Sequence, residues 1–382
     1  MSSAAPKGNP RPLEGILAVS LEQAVAAPFC SSRMADAGAR VIKIERGEGD
    51  FARGYDRYAR GGSVYFLWLN RGKESLVLDI KQQEDAALLH RILSKADVFI
   101  QNLLPGAAKR AGFGSADLRR KHPRLVTVDI SGYGDEGPYA EMKAYDLLVQ
   151  AESGLCEVTG APEAPGRVGV SVCDIACGLY AYNAVLEALI QRGRSGEGGA
   201  IAVSLFDAMA DWMTVPLLQF QYGQAAPRRM GLNHPKVAPY GLYRAGDGGG
   251  VLISIQNERE WARLRDAVMA MPELAADPRF KDNVARVANR AALDTLLNRA
   301  FAKLTRPQLL EKLRQAAIAY GALNGIPELM KHPQLRRAKV ASEFGEVELV
   351  APPARFSGKG PDFGPVPRIG EHSAKIRREF AA

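Results

Sequence analysis

Short apolar runs alternate with helix-period stretches through the first half of the chain. GILAVSL (15–21) reads as a strand, FCSSRMADAG (29–38) as a helix closed by Gly38, and ARVIKIE (39–45) as a second strand. SLVLDI (75–80), ADVFIQN (96–102) and RLVTVDISGYG (124–134) are further strands. Between them, QEDAALLHRILSK (83–95) places Ala87, Leu88, His90, Ile92 and Leu93 on one helical side. Strands and helices alternating at this spacing predict βαβ units around a parallel sheet.

Residues 174–192 (DIACGLYAYNAVLEALIQR) read as a long, mostly buried helix, followed by a GRSGEGG turn and the strand and helix of AIAVSLFDAM. Beyond residue 225 the pattern changes. Gly- and Pro-rich sequence leads to a hairpin-like pair around GDGGG (246–250), then to helices in EREWARLRDAVM, RAALDTLLNRAFAKL and RPQLLEKLRQAAIAY. The expected organisation is a large domain over 1–224, a smaller α+β domain over 225–330, and a loop-rich tail (331–382) that returns to the large domain. Residues 1–12 read as a mobile leader. No uninterrupted apolar run reaches roughly 18 residues, so no membrane span is expected.

The chain carries a formal charge of +8, with 47% hydrophobic and 24% charged residues. That balance is globular, and the excess of Lys and Arg favours anionic partners. The basic residues are scattered among Asp and Glu, with no zinc-finger spacing and no RNA-binding aromatic signature, which argues against nucleic acid. Cys30, Cys156, Cys173 and Cys177 do not cluster with the histidines. No metal site is expected, and the four thiols suit a reducing, cytoplasmic compartment. A GxGxxG phosphate loop is absent, so a nicotinamide cofactor is not supported.

Asp174 lies between a Gly-containing apolar stretch, GRVGVSVC, and the long helix. On position alone it is a helix N-cap. The same place suits a catalytic carboxylate, because a helix N-terminus stabilises anions and a carboxylate can act as a covalent nucleophile.

Four blocks bear on that choice: PLEGILAVSLEQAVAAPFCSSRMADAGARVIKIER, LNRGKESLVLDIK, DVFIQNLLPGAAKRAGFG and GVSVCDIACGLYA, with IGEH near the C-terminus. In content and order they resemble the class III CoA-transferases, the family of formyl-CoA transferase and carnitine CoA-transferase. The resemblance implies a Rossmann-like large domain with a smaller α+β domain, in an interlocked homodimer. It also implies a ping-pong transfer of CoA between carboxylic acids through an aspartyl-CoA thioester on Asp174. CoA thioesters would be substrates, with no permanently bound cofactor. The CoA contacts it implies are Arg46, Lys73, Leu78, Lys81, Asn102, Leu103, Arg110, Lys143 and Tyr145. The substrate contacts it implies are Val25, Tyr65, Asn233 and His234, although a purely structural role is open for His234. On charge pattern alone each basic residue is a solvated surface group.

Two departures bear on the substrate. Val25 stands where formyl-CoA transferase has a Gln, and GDGGG reads as a β-turn rather than a tetraglycine lid. Both weigh against oxalate and formate, leaving succinate or a C5 diacid such as mesaconate, itaconate or citramalate. Two alternatives are a 2-methylacyl-CoA racemase and a non-catalytic acyl-CoA-binding protein. The racemase branch has a His shortly before the aligned Asp, and GRVGVSVC has none.

Overall fold

In the computed structural model, which describes residues 11–224, 226–355 and 363–381, the apolar runs of the first half line up as one parallel sheet. Its strands are β1 (Leu17–Leu21), β2 (Arg40–Glu45), β3 (Lys73–Val77), β4 (Val98–Gln101), β5 (Val126–Ser131) and β6 (Ala200–Ser204). They lie in the spatial order β3-β2-β1-β4-β5-β6. This is the Rossmann order, with the first-made strand in the centre. Register is set by pairs such as Leu17 with Arg40 and Ala18 with Val98.

Side chains alternate across the pleat, so each strand feeds two cores. Ala18, Val41, Val98 and Val128 face the layer of α1 (Ala26–Asp36) and α5 (Val172–Ser195). Val19, Ile42, Leu76 and Phe99 face α3 (Gln83–Leu93) and the C-terminal helix α10 (Ser373–Glu379). In α3 the buried residues are Leu88, Leu89, Ile92 and Leu93. Ala87, expected inside, is exposed, and His90 stacks on Phe113 at 4.7 Å.

By length and composition α5 could cross a bilayer, although Asp174 and Glu187 interrupt its apolar sequence. Its inward residues Cys173, Ala176, Cys177, Ala181 and Val185 belong to the core. It crosses α1 closely at Gly178, where a Cβ would lie 2.6 Å from the Ala26 carbonyl oxygen.

The tail is more ordered than its sequence suggests. It contains the antiparallel pair β10 (Arg337–Ser342) and β11 (Gly345–Val350). It then runs along β3: the Ser75 carbonyl accepts the His372 N–H at 3.0 Å, and the Ser75 N–H donates to His372 Nδ1 at 3.2 Å. This covers an edge strand that would otherwise present unpaired backbone groups. The KGP stretch of the tail and most of the N-terminal leader lie outside the described residues.

The chain divides into two compact units. The larger holds the parallel sheet and comprises the chain up to Leu155, Arg167–Val215 and Arg336 onward. The smaller comprises Cys156–Gly166 and Pro216–Leu335. The boundary expected at 224/225 therefore falls at 215/216, and the Cys156–Gly166 excursion belongs to the small unit. That unit is a three-stranded antiparallel sheet of β7 (Tyr240–Arg244), β8 (Gly250–Ser254) and β9 (Ala319–Ala322), with β8 central. It packs with α7 (Glu258–Arg263), α8 (Arg290–Phe301) and α9 (Arg306–Gln315) around Trp261, Phe280, Leu297, Phe301 and Leu309. β9 takes over the sequence read as the end of the α9 helix.

Candidate active site

In an open parallel sheet the ligand crevice lies beyond the carboxyl ends of the strands, where the chain order reverses. Here that point is between β1 and β4. The two loops leaving it, 22–25 and 102–103, are stapled together. The Asn102 carboxamide accepts the Gln23 N–H at 3.0 Å and donates to the Gln23 carbonyl at 2.9 Å.

Behind the first loop sits a buried ion network. Glu22 pairs with Lys73 at 2.7 Å and with Lys43 at 3.4 Å, and accepts the Ser31 hydroxyl at 2.6 Å. Lys43 also pairs with Asp50 at 2.9 Å. Burial alone would raise the Glu22 carboxyl. The two ammonium groups and the bonds from Lys73 and Ser31 outweigh it and hold the pKa at about 2. Lys73 is pulled down to about 8, by burial first and by Lys43, against the attraction of Glu22.

Asp174 lies in the first turn of α5. It is not the N-cap. That position is Ser171, whose side chain makes no capping bond. Instead α4 (Asp146–Glu152) supplies the cap: Asp146 Oδ1 accepts the Cys173 N–H at 2.8 Å. Gln150, fully buried, donates from Nε2 to Asp146 Oδ2 at 2.7 Å, and its Oε1 accepts the Val168 N–H at 2.9 Å. The pair thus clamps both the helix start and the segment leading into it. Asp174 sits half-buried, and among the described residues its carboxylate has no hydrogen bond or ion pair. Burial, and then the negative charge of Asp146, raise it to about pKa 7. It is a basic carboxylate without a counter-ion among the described residues, the condition that makes a carboxylate nucleophilic near neutrality.

Aromatic rings stand by it. Tyr55 packs edge-on to Tyr65 at 5.5 Å and against Phe51 at 5.6 Å. Its phenol is raised to about 12 by burial, then by the charges of Asp50 and Asp174.

The residues expected at the site divide by their surroundings. Arg46, Lys81, Arg110, Lys143 and Tyr145 are exposed. They follow β2, β3, β4 and β5, so their segments leave the same edge of the sheet as the 22–25 loop. Lys73 is corrected: its ammonium is enclosed, bonded to Glu22, to the Pro28 carbonyl at 3.2 Å and to Asn70 at 3.1 Å, with no surface left for a phosphate. The Leu78 side chain is likewise in the core, leaving only its backbone at the strand end. Asn102 spends its carboxamide on Gln23, and the Leu103 N–H donates to Gln101 Oε1 at 2.8 Å. Val25 is buried in a cluster with Phe29 and Leu69, against which Ile175, the neighbour of Asp174, packs. Tyr65 is partly exposed beside Tyr55. Asn233 and His234 belong to the small unit. There His234 stacks on Tyr240 at 5.1 Å and its Nδ1 accepts the Lys236 N–H at 3.2 Å, the engagement of a turn-forming residue.

Asp146, Gln150, Asp50 and Tyr55 were not singled out from the sequence. Asp146 comes just after Lys143 and Tyr145, both expected as CoA contacts, so its neighbours carried a signal. The bond that gives it a role joins residues far apart in the chain.

A family of known proteins matches residues 13–373, and its description is CoA-transferase family III. The chain belongs to this family. Among relatives of this CoA-transferase, the acetyl-CoA:oxalate CoA-transferase of Acetobacter aceti is 37% identical over 99% of this chain and 97% of that one. The succinyl-CoA:glutarate CoA-transferase of Mus musculus is 31% identical over 97% and 86%. A CAIB/BAIF family protein from Brucella suis, solved by crystallography, superposes with a TM-score of 0.85 at 34% identity, covering 97% of this chain and all of that one. The enzyme is therefore a CoA-transferase that uses CoA thioesters as substrates, built on the mixed α/β fold with its six-stranded parallel sheet.

Proposed function

We propose that this CoA-transferase works by acylation of Asp174 and that its acids are short dicarboxylates. The carrying observation is the unneutralised, half-buried carboxylate of Asp174 in the first turn of α5. Its oxygen attacks the thioester carbonyl of the donor, giving a mixed anhydride and CoA thiolate. The thiolate then attacks the aspartyl carbonyl, releasing the donor acid and leaving an aspartyl-CoA thioester. The acceptor acid reverses these steps. Burial and Asp146 penalise the free carboxylate, and both penalties vanish when acylation makes the Asp174 side chain neutral. The protein thus favours covalent states over the resting ionised one.

The exposed cations Arg46, Lys81, Arg110 and Lys143 offer charge for the CoA phosphates. For the acids, the oxalate relative, at 37% identity, brings oxalate into the proposed range despite Val25. With the glutarate relative it supports a diacid range of roughly C2 to C5, within which succinate and the C5 diacids remain. Val25 and Tyr65 border the acid. The same reading includes a homodimer, supported by the exposed Leu217, Phe220 and Tyr222 on the helix Thr214–Gly223, and a cytoplasmic location.

The test is intact-mass spectrometry after incubation with succinyl-CoA or acetyl-CoA. A CoA-sized adduct on the wild type and none on Asp174→Ala is expected. An adduct on both, or on neither, overturns the covalent route. Light scattering that returns a single-chain mass overturns the dimer.

A further inference from the structure

Among the described residues Asp174 has no bonded partner to orient it, so the segments around it must be held by other means. Two of them meet at one oxygen atom. Asp50 Oδ1 accepts the Ala24 N–H at 3.2 Å and the Ala52 N–H at 2.9 Å. Ala24 belongs to the loop after β1 and directly precedes Val25, which with Phe29 and Leu69 forms the apolar cluster that Ile175, beside the nucleophile, packs against. Ala52 belongs to the turn Phe51–Gly54, which ends at Tyr55, the ring that shares the electrostatic field of Asp174.

The loop needs holding. Ala24 has φ +65°, the left-handed region, which costs an L-residue with a Cβ about 1 kcal/mol and persists only where the surroundings enforce it. Asp50 is itself fixed from behind. Its Oδ2 takes the buried Lys43 ammonium at 2.9 Å, and its own N–H donates to Glu45 Oε1 at 3.0 Å. Glu45 in turn is held by Arg53 through paired 2.9 Å bonds and by the Ser75 hydroxyl at 2.5 Å. Rigidity therefore passes from the strand ends, through one carboxylate, to two segments that flank Asp174.

We propose that Asp50 is a positioning residue for the transfer reaction: its Oδ1 locks the Ala24–Val25 loop and the Ala52–Tyr55 turn in the geometry that presents a thioester carbonyl to Asp174. It rests on the assignment of Asp174 as the acylated residue. Asp50 touches no reacting atom. It acts by fixing where Val25 and Tyr55 stand, and misplacement of such groups by about 1 Å lowers rates about a hundredfold.

Replacing Asp50 alone would take from the buried Lys43 ammonium its closer carboxylate, leaving Glu22 at 3.4 Å, so the test removes both charges together. Lys43→Met/Asp50→Asn keeps an oxygen for the Ala24 and Ala52 N–H groups, whereas Lys43→Met/Asp50→Ala does not. Both full-length variants are mixed with succinyl-CoA or acetyl-CoA, whichever labels the wild type, and the rate of adduct formation is followed by intact mass. The Ala double variant is expected to label about a hundredfold more slowly than the Asn double variant, with half-saturating acyl-CoA within about threefold and similar melting temperatures. Equal labelling rates overturn the assignment. So does a rate difference that disappears once rates are scaled to the folded fraction seen by circular dichroism. A wild type that takes no adduct from either thioester sinks the covalent reading of Asp174, and this inference with it. A labelled wild type with equal double variants sinks this inference alone.

Discussion

Asp146 accepts the backbone N–H of Cys173 at 2.8 Å, one residue before Asp174. A helix that carries a reactive carboxylate in its first turn is thus capped by a second carboxylate from another helix. A helix N-terminus normally favours negative charge, but here Asp146 already occupies one of its free donors. Asp174 is left with burial and repulsion. The groups facing it are Asp146 from α4, Tyr55 from the Phe51–Gly54 turn and Cys177 on its own helix.

The pH profile follows from this. Asp174 must be ionised to attack, and its pKa is about 7. Below that value kcat/KM falls about tenfold per unit. Asp146→Asn keeps an oxygen for the Cys173 N–H and removes the charge. Its acid limb is expected to move to lower pH by about half a unit or more. An unmoved limb would show that Asp146 acts as a cap alone.

Stability carries the same signature with the opposite sign. Asp174 titrates near 3.8 when unfolded and near 7 when folded. Between these values the native state binds more protons, so its ionisation opposes folding increasingly as pH rises, in full above about 7. Asp174→Asn is expected to stabilise the fold at pH 8 by on the order of 2 kcal/mol, and so to raise the melting temperature. The gain should disappear below about pH 4. Thermal melts across pH check this.

Glu22 behaves in reverse. Its pKa falls from 4.5 to about 2 on folding. The stabilisation is complete above about 4.5 and is lost as pH drops through 2, on the order of 3 kcal/mol. Glu22→Gln is expected to lower stability by at least that much at pH 7, since it leaves Lys73 and Lys43 short of a partner. The variant and wild type should converge near pH 2, which acid-titration by circular dichroism would reveal.

Gly178 lies one turn beyond Asp174, where α5 meets α1. A Cβ there would meet the Ala26 carbonyl oxygen at 2.6 Å and Phe29 Cβ at 2.9 Å. Gly178→Ala is expected to destabilise by about 1–3 kcal/mol as the helices are forced apart. It should slow adduct formation as well, because Asp174 moves with its helix. Full activity at wild-type stability would disprove the close crossing.

Most of the parallel sheet could be read from the chain, because buried parallel strands are near-continuous apolar runs such as ARVIKIE and ADVFIQN. Asp174 was legible through the blocks around it. What escaped was long-range. Lys73 looks like any surface lysine until β3 places it beside Glu22. Asp146 gains its role only when α4 meets α5, and Asn102 only when β4 lies beside β1. The order of the tail was hidden for the same reason, since its partner for pairing, β3, is some 300 residues earlier.

The sheet order has a consequence for how the protein is made. β1 leaves the ribosome first yet ends in the centre of the sheet, and both of its edges are covered only after β4 has been synthesised. The helix carrying the nucleophile comes later still, and must dock on α1, which has by then been waiting for most of the large unit to be translated. Until that docking, α1 shows an oily flank to the cell, and β5 has one open margin awaiting β6. The growing chain is therefore most prone to self-association midway through synthesis. Stalling translation between β5 and α5 would be expected to recruit chaperones more strongly than stalling it after β6.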